Sequence, residues 1–410
     1  MSDLDIETVR SYFPALAEDQ VFFDNAGGSQ TLGSVIEAIR DYLSRTNVQL
    51  GASYRTGKQS TERYDAGFAA GARYVNAKES EIAFGSSTTQ LLRNISFALE
   101  FSPGDEIIVS SIDHEANIAP WIDLARRQNL VLKWWTPTLS CPPENPNAKP
   151  NPNPQLSTQN LVPLLTPRTR LITCTHASNL LGTIHDIASI SAAVRAGPAP
   201  DALVAVDGVS YAPHRPIDMQ ALGVDVYAFS WYKVYGPHVA MVYASQRAQR
   251  KMRSLGHFFK TGETLEEKIG LAGASYELLH AIPSVTSYLT PAKWSSKLAH
   301  EAALQTELLA YLASRDDITI YGAASPDPAI RVSTVSFTVD GRASRDVVAA
   351  VEAKTNIGFR WGTFYSERLA KELLGLGDDG VVRVSMAHYN SLDEVKQFID
   401  AMNKYVPEQS

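Results

Sequence analysis

The sequence predicts an α/β protein with a large, mainly parallel sheet covered by helices, followed by a smaller α+β domain. Short apolar runs alternate with helical stretches from about residue 80 to 245, which is typical of βαβ units. From residue 260 the pattern changes to long helical stretches at 264–282 and 290–314, followed by further strands. The length of 410 residues is also sufficient for two domains.

The composition is that of an ordinary globular protein, with 44% hydrophobic and 20% charged residues. The net charge of −7 argues against nucleic acid or an anionic membrane as a main partner. No apolar run approaches the roughly 18 residues of a membrane-spanning helix, and the acidic N-terminus lacks the pattern of a signal peptide. Two cysteines, Cys141 and Cys174, make neither a disulfide framework nor a metal site. We therefore expect a cytoplasmic protein without a metal.

Domain boundaries are predicted at residues 20 and 260. Residues 1–20 contain a short helix that we expect to pack on the small domain. Residues 21–260 form the large domain, and residues 261–410 form the smaller one with its connecting helices. The proline- and asparagine-rich stretch 139–157 has no periodicity and is predicted to be an exposed insertion, because the α/β alternation resumes after it.

The individual elements follow from local patterns. Apolar runs bounded by turn residues predict strands near Val21 and at 81–85, 106–110, 131–135, 171–175, 203–206, 226–230, 317–321, 330–338, 357–360 and 381–387. Helical spacing predicts a short helix that ends before Pro14, and helices at 33–47, from 63, at 91–99, from 122, and at 186–195, 344–355 and 392–405.

The stretch 203–237 places a carboxylate and a lysine at the ends of two neighbouring strands. One strand ends in Asp207, and the next delivers Lys233 just before a Gly-Pro turn. In open α/β sheets ligands bind at such strand ends. Pyridoxal phosphate (PLP) needs this pair, because the lysine forms a Schiff base with its aldehyde and the carboxylate keeps its ring nitrogen protonated. A buried ion pair without chemistry is the alternative interpretation.

Four hydroxyl residues follow the strand that ends in Gly85, in the run Ser-Ser-Thr-Thr before the helix at 91–99. The N-terminus of a helix exposes backbone N–H groups and the positive end of the helix dipole, which suits a phosphate. Helix capping is the structural alternative. Four such residues exceed what capping requires, so the pattern favours a phosphate site.

These motifs together resemble a fold-type I PLP enzyme of the class V aminotransferase and cysteine desulfurase group. The resemblance covers essentially the whole chain and implies a seven-stranded sheet and an aspartate aminotransferase-like architecture. The matching residues occur in the family order: Asp24-Asn-Ala, Thr88-Thr89, His114, Asn179, Asp207 and Ser230-x-x-Lys233-x-x-Gly-Pro.

The resemblance implies catalytic roles for Lys233, Asp207 and His114, with the histidine stacked on the cofactor ring. Further cofactor contacts implied in the same way are Thr88, Thr89, Asn179, Ser210, Ser230, Tyr232 and Ser275. The substrate contacts that it implies are Asn25, Ala26, Gly27, Arg55, Arg360, Tyr365 and Arg383.

Two groups of these residues carry additional implications. Arg383 matches the arginine that grips the substrate α-carboxylate, for which a planar guanidinium is suited. The alternative is a surface arginine on a strand. Arg55 and the segment 273–275 match regions that such proteins supply across a dimer interface, so the resemblance implies a homodimer with a shared active site.

Departures from the desulfurase pattern bear on function. Ser210 replaces a glutamine that faces the ring hydroxyl, and Tyr232 replaces a histidine that contacts the phosphate. The stretch 360–366, Arg-Trp-Gly-Thr-Phe-Tyr-Ser, lacks the nucleophilic cysteine expected there. Cys174 belongs to a predicted buried strand, so sulfur transfer requires Cys141 to enter the site.

The segments 131–137 and 229–238 resemble a fungal secondary-metabolite branch of the family, which includes a loline-type PLP cyclase and an ustiloxin-type decarboxylative C–C ligase. This implies an amino-acid α-carbanion captured by a carbon electrophile, with intramolecular Mannich-type cyclisation in alkaloid biosynthesis as the leading hypothesis. Cysteine desulfurase or β-lyase, aminotransferase or epimerase, and a non-catalytic binding module are the alternatives.

An aromatic wall is the feature of the sequence that suits such chemistry. Aromatic side chains exclude competing protons and stabilise a cationic iminium. Ordinary core residues are the alternative interpretation. The candidates are Trp231, Tyr232, Trp361, Phe364 and Tyr365.

Overall fold

The computed structural model describes residues 4–137, 151–270 and 273–408. Its strands are β1 (Val21–Phe22), β2 (Ile82–Gly85), β3 (Glu106–Ser110), β4 (Val131–Trp135), β5 (Thr169–Thr175), β6 (Leu203–Asp207), β7 (Val226–Ser230), β8 (Ala240–Ala244), β9 (Ile318–Tyr321), β10 (Thr334–Val339), β11 (Ile357–Gly358), β12 (Arg360–Gly362) and β13 (Val381–Ser385).

The helices cover both sheets and connect them. They are α1 (Ile6–Ser11), α2 (Gly33–Arg45), α3 (Arg55–Tyr74), α4 (Thr88–Ala98), α5 (Ala119–Gln128), α6 (Thr158–Leu161), α7 (Ile187–Ala196), α8 (Met219–Leu222), α9 (Gln246–Gln249), α10 (Leu265–Ile269), α11 (Tyr276–His280), α12 (Ile282–Tyr288), α13 (Pro291–Ala313), α14 (Ser344–Glu352) and α15 (Leu392–Tyr405).

The large sheet has seven strands in the order β2-β8-β7-β6-β5-β3-β4. All neighbours pair in parallel except β8, which runs antiparallel to both β2 and β7. The predicted fold class, with a mainly parallel sheet of seven strands, is therefore confirmed. Because β6 and β7 are buried on both faces, their sequences are continuous apolar runs.

Alternate residues of the central strands enter different cores. Val204 and Val206 of β6 belong to one apolar cluster, whereas Leu203 and Ala205 belong to the cluster on the opposite face. This alternation is the two-residue period of a strand. The polar residues at the strand ends are then left at the carboxyl edge of the sheet.

The smaller sheet is antiparallel, in the order β12-β13-β10-β9. β1 lies beside this part of the molecule, since it pairs in parallel with β11. Val21 and Phe23 share a core cluster with Val382 and Val384 of β13. An isolated bridge between Asp24 and Ser385 extends this contact, so an N-terminal segment is held against the C-terminal sheet.

Several element boundaries differ from the sequence predictions. The single helix expected at 264–282 is replaced by the short helices α10, α11 and α12, and residues 271–272 lie outside the described ranges. Gly270 follows the last residue of α10 in an extended conformation and ends that helix. α3 begins at Arg55 instead of 63, and the strand expected at 357–360 is divided between β11 and β12.

The predicted insertion is described only in part. Residues 138–150, including Cys141, lie outside the described residues. At its end, Pro154 and Leu156 are buried, and the Thr183 hydroxyl donates a 2.7 Å hydrogen bond to Asn153 Oδ1. Pro152 and Gln155 in the same stretch are exposed, so the exposed insertion stays a prediction.

Contacts near the N-terminus involve the C-terminal part of the chain. Arg10 of α1 forms a 2.7 Å ion pair with Glu394 of α15. The predicted boundaries at residues 20 and 260 stay predictions. In the described part of the chain, no helix combines the length and apolarity needed to cross a membrane. The cytoplasmic location stays a prediction.

Candidate active site

Asp207 ends β6 with its side chain buried, at 5% exposure. The backbone N–H of Val209 donates a 2.8 Å hydrogen bond to Asp207 Oδ1 and holds the carboxylate in place. Burial raises the pKa of Asp207 to about 6, against the opposing effects of the Val209 hydrogen bond and of Lys233. Leaving this buried carboxylate without a cationic partner would therefore cost free energy.

Lys233 ends the 3-10 turn Trp231–Lys233 that follows β7 directly. Burial, assisted by the positive charge of Arg383, lowers the pKa of the lysine to about 8, while Asp207 and Asp24 oppose this shift. An amine with such a pKa is partly neutral near neutral pH. The neutral form is the one that attacks an aldehyde.

Lys233 and Asp207 line a common cavity. Every cofactor contact predicted from the resemblance lines it, except Ser275. The other residues around it are Ser87, Thr88, Thr89, His114, Ala116, Thr175, Asn179, Val209, Ser210, Ser230 and Tyr232. The strand ends and the start of α4 therefore surround one space.

Hydroxyl groups form one end of this cavity. Thr88 at the start of α4 and Ser230 at the end of β7 are buried, with their hydroxyl oxygens 2.8 Å apart. Ser87 caps α4 by accepting a 3.1 Å hydrogen bond from the Gln90 N–H. The Ser87 hydroxyl thus serves as the helix cap. The hydroxyls of Thr88 and Ser230 lie beside the N-terminus of the 11-residue helix α4, and this position favours an anion.

His114 follows β3 and lines the same cavity. The backbone N–H of Ala116 donates a 3.0 Å hydrogen bond to His114 Nδ1, which sets the orientation of the ring. Burial, with the charges of Lys233 and Arg383, lowers the pKa of His114 to about 4. A neutral imidazole in this position is suited to stack on an aromatic ring.

A second cavity is adjacent to the first, because His114, Asn179, Tyr232 and Lys233 line both. The resemblance-based substrate contacts Ala26, Gly27, Arg360, Tyr365 and Arg383 line this second cavity. Its other residues are Trp361, Gly362, Thr363, Phe364 and Glu367. Lys233 therefore lies where the two cavities meet.

Arg383 of β13 is 3% exposed, so the interpretation as a surface arginine is wrong. Its Nη2 forms a 2.8 Å ion pair with Asp24 Oδ1, and its Nη1 donates a 3.2 Å hydrogen bond to the Asn179 carbonyl. The guanidinium also lies 3.6 Å from the centre of the Phe364 ring. These three contacts hold a buried cation at the wall of the second cavity.

Some predicted site residues lie elsewhere. The Asn25 amide donates hydrogen bonds to the carbonyls of Phe22 and Ser385, at 2.8 and 2.9 Å, and does not line either of these cavities. Trp231 is fully buried against Phe229, which removes it from the predicted aromatic wall. The Trp231 ring packs between Phe229 of β7 and Tyr74 of α3 in the core, which explains this difference.

Arg55 and Ser275 are also absent from both cavities of the single chain. Arg55 is the first residue of α3, and Ser275 precedes α11. Both are exposed. Their assigned roles require a second copy of the chain and stay predictions.

Sequence reasoning missed two acidic residues of this region. Asp24 was recognised only as the start of a family motif, and Glu367 was not considered. Asp24 contacts Arg383, and Glu367 lines the second cavity. A single carboxylate two residues after the strand β1 is the only local signal for Asp24.

Cys174 lies in β5 and is fully buried. Burial raises the pKa of its thiol well above the usual range. Neither cavity is lined by a cysteine among the described residues. The position expected for a nucleophilic cysteine belongs to the loop that contains Phe364 and Tyr365.

The donor set fits PLP. A lysine with a lowered pKa, a buried carboxylate at a neighbouring strand end and a hydroxyl-lined helix N-terminus are the groups that this cofactor requires. The fold and site together define a PLP-dependent enzyme.

Comparison with known proteins identifies the family. Residues 21–398 match the aminotransferase class-V family, and the chain belongs to it, with PLP as the cofactor. The chain is 52% identical over 408 residues to the aminotransferase-like protein FGM3 of Gibberella zeae, covering 98% of each. It is 37% identical to the cysteine desulfurase-like protein ustD of Aspergillus flavus, covering 98% of this chain and 91% of that one.

A solved structure supports the fold. The cysteine desulfurase of Thermococcus onnurineus NA1 superposes with a TM-score of 0.86 at 23% identity, covering 98% of this chain and 99% of that one. The predicted resemblance to fungal proteins of the family is confirmed.

Proposed function

We propose that this enzyme makes the α-carbon of an amino-acid substrate nucleophilic and joins it to a carbon electrophile. The leading reaction is an intramolecular Mannich-type cyclisation in alkaloid or other secondary-metabolite biosynthesis. One observation carries the proposal: the loop expected to hold a nucleophilic cysteine has Phe364 and Tyr365 instead, and both line the second cavity.

In this reaction one bond to the α-carbon breaks, and a proton or carbon dioxide leaves. When bound, PLP accepts the electron pair that remains on the substrate. The pair then forms a C–C bond with an iminium carbon of the substrate, and the C=N pair moves to the nitrogen. Atoms and charges balance without an oxidant.

The chain's own residues have separate roles in this proposal. Lys233 would hold the cofactor and move the proton at the α-carbon. Asp207 would be the counter-ion of the ring nitrogen, and His114 would stack on the ring. Arg383 binds the substrate α-carboxylate through its planar guanidinium. Thr88, Thr89, Ser210, Ser230 and Tyr232 contact the remaining cofactor groups, and Asn179 lies near the ring hydroxyl.

The aromatic lining supports reaction of the nucleophilic α-carbon with a carbon electrophile over its protonation. Tyr232, Trp361, Phe364 and Tyr365 line the second cavity beside Lys233. Aromatic faces exclude water and attract a cationic iminium. These four residues are the proposed wall, and Trp231 is not part of it.

The active enzyme is proposed to be a homodimer. Arg55 and Ser275 are exposed on the single chain, whereas the resemblance assigns them to the substrate and the cofactor. A second copy that supplies both residues resolves this difference. Light scattering of the purified protein is expected to give the mass of two chains.

Absorption spectroscopy tests the first part of the proposal. The PLP-loaded wild type is expected to show an absorption band near the visible edge that Lys233→Ala lacks. The exposed Lys58 provides a matched control, and Lys58→Ala is expected to keep the band. A wild type without the band, after PLP addition, contradicts the assigned role of Lys233.

Product analysis tests the second part. An amino acid whose side chain carries a cyclic iminium ion is expected to be converted to a product with one additional ring, detected by mass spectrometry and NMR. L-cysteine is expected to release no sulfide. Sulfide release from cysteine without ring formation favours the alternative, a cysteine desulfurase or β-lyase. Transfer of the amino group to PLP favours an aminotransferase, and deuterium uptake at the α-carbon of an otherwise unchanged substrate favours an epimerase.

A further inference from the structure

Asp24 lies between two arginines of neighbouring strands. Its Oδ1 is 2.8 Å from Nη2 of Arg383, and its Oδ2 is 3.5 Å from Nη1 of Arg360. Arg360 and Arg383 are directly opposite in the antiparallel pairing of β12 and β13. One carboxylate therefore faces two guanidinium groups.

The two arginines differ in environment. Arg383 is buried and has its two terminal nitrogens bonded to Asp24 and to the Asn179 carbonyl. The side chain of Arg360 is 58% exposed, and its 3.5 Å separation from Asp24 is too long for a strong hydrogen bond. Asp24 is thus bound to one buried arginine and lies near a second, exposed one.

Arg383 also has an unsatisfied group. Its Nε–H is buried and has no hydrogen-bond partner among the described residues. A buried donor without a partner is costly. A substrate carboxylate that binds the Nε–Nη2 edge satisfies this donor and competes with Asp24 for Nη2.

We propose that Asp24 is a positioning residue that pairs with Arg383 and shifts to Arg360 when a substrate carboxylate binds Arg383. This inference rests on the proposed role of Arg383 as the carboxylate anchor. It changes the role of Arg360 from a substrate contact to the counter-ion that receives the displaced Asp24.

The packing around Asp24 is consistent with such a shift. A Cβ on Gly27 would lie 2.9 Å from Asp24 Oδ2. A side chain at residue 27 would therefore crowd the Asp24 carboxylate, and glycine leaves room for it. Without Arg360, the carboxylates of Asp24 and of the substrate would share Arg383. Like charges at such short range destabilise the bound state.

Binding measurements with four proteins test the proposal: wild type, Arg360→Gln, Asp24→Asn and the double variant. The probe is L-alanine, titrated into the PLP-loaded proteins and followed by the cofactor absorption. L-alaninamide, which has the amine but no carboxylate, is the matched control ligand. Thermal melting and the PLP absorption verify that each variant is folded and loaded.

Arg360→Gln is expected to weaken L-alanine binding about fivefold, the scale of one partly exposed ion pair, and to leave L-alaninamide binding unchanged. In the Asp24→Asn background, Arg360→Gln is expected to have less than about a twofold effect, because no displaced charge remains. Equal weakening in both backgrounds means that Arg360 contacts the substrate itself and overturns the proposal.

A further variant separates this proposal from the one on which it rests. Arg383→Gln is expected to abolish the preference for L-alanine over L-alaninamide. If that preference persists, Arg383 is not the carboxylate anchor and both inferences fail. If the preference disappears in Arg383→Gln, but Arg360→Gln weakens L-alanine binding equally with and without Asp24, only the proposed shift of Asp24 is wrong.

Discussion

The side-chain amide of Asn179 donates a 2.9 Å hydrogen bond to the backbone carbonyl of Phe364. The Ser366 hydroxyl donates a 3.0 Å hydrogen bond back to Asn179 Oδ1, so one amide holds both ends of a short turn. Within it, Phe364 and Tyr365 have φ of +52° and +60°. Two consecutive non-glycine residues in this region are strained, and the turn lies against the active site.

The strain at Tyr365 predicts an order of stability among variants. Tyr365 is 72% exposed, so its substitution removes few contacts. Glycine adopts a positive φ freely, whereas a β-branched residue does not. We expect the free energy of unfolding of Tyr365→Gly to be about 1–2 kcal/mol higher than that of Tyr365→Val.

Urea unfolding of the cofactor-free protein measures this difference. The exposed Tyr54 has a φ of −74° and provides a matched control, for which the glycine variant is expected to show no advantage over valine. Equal free energies of unfolding for both Tyr365 variants would show that the turn relaxes without cost.

The lowered pKa of Lys233 predicts a pH dependence of PLP uptake. Burial and Arg383 lower this pKa to about 8, and only the neutral amine attacks the aldehyde. The rate of covalent PLP attachment to the cofactor-free protein is therefore expected to rise with pH and to level off above pH 8. Stopped-flow absorption measures the rate. A rate that still rises tenfold per pH unit between pH 9 and 10 indicates a lysine with an ordinary pKa near 10.4.

A third prediction concerns Asp113, the buried residue before His114. Its Oδ2 accepts a 2.7 Å hydrogen bond from Asn117, whereas Oδ1 has no partner among the described residues. Burial raises its pKa to about 7. Because the folded state binds a proton that the unfolded carboxyl has released, this group lowers stability as pH rises from about 4 to 7.

Asp113→Asn removes this charge and keeps an acceptor for Asn117. We expect the variant to unfold at a free energy about 1–3 kcal/mol higher than the wild type at pH 8, with a smaller difference at pH 5. Urea unfolding of the cofactor-free proteins at both pH values measures it. Asp123→Asn, at a residue paired with Arg127 on the surface, is the control and is expected to lack this gain. If Asp113→Asn raises the free energy of unfolding equally at pH 5 and pH 8, ionisation of Asp113 is not the cause.

Six of the seven strands of the large sheet and the Lys233–Asp207 pair were predictable because their signals are local; β8 (Ala240–Ala244) was not predicted. Buried parallel strands are continuous apolar runs, and their carboxyl ends meet at one edge whenever the strands are neighbours. The hydroxyl residues before α4 follow a strand directly, so their place at this edge also follows from chain order. The burial of Trp231 was not predictable, since an aromatic residue beside a functional lysine has the same local pattern in a core and in a cavity.

The sequence by itself therefore determined the fold class, the cofactor and the residues at the ends of the parallel strands. The tertiary structure alone decided which distant groups meet them. Asp24 and Arg383 are 359 positions apart, and Asn179 and Phe364 are 185 apart. No local spacing encodes these contacts, because they depend on the pairing of β1 with β11 and on the position of the antiparallel sheet beside the parallel one. That packing brings two arginines to one carboxylate beside Lys233.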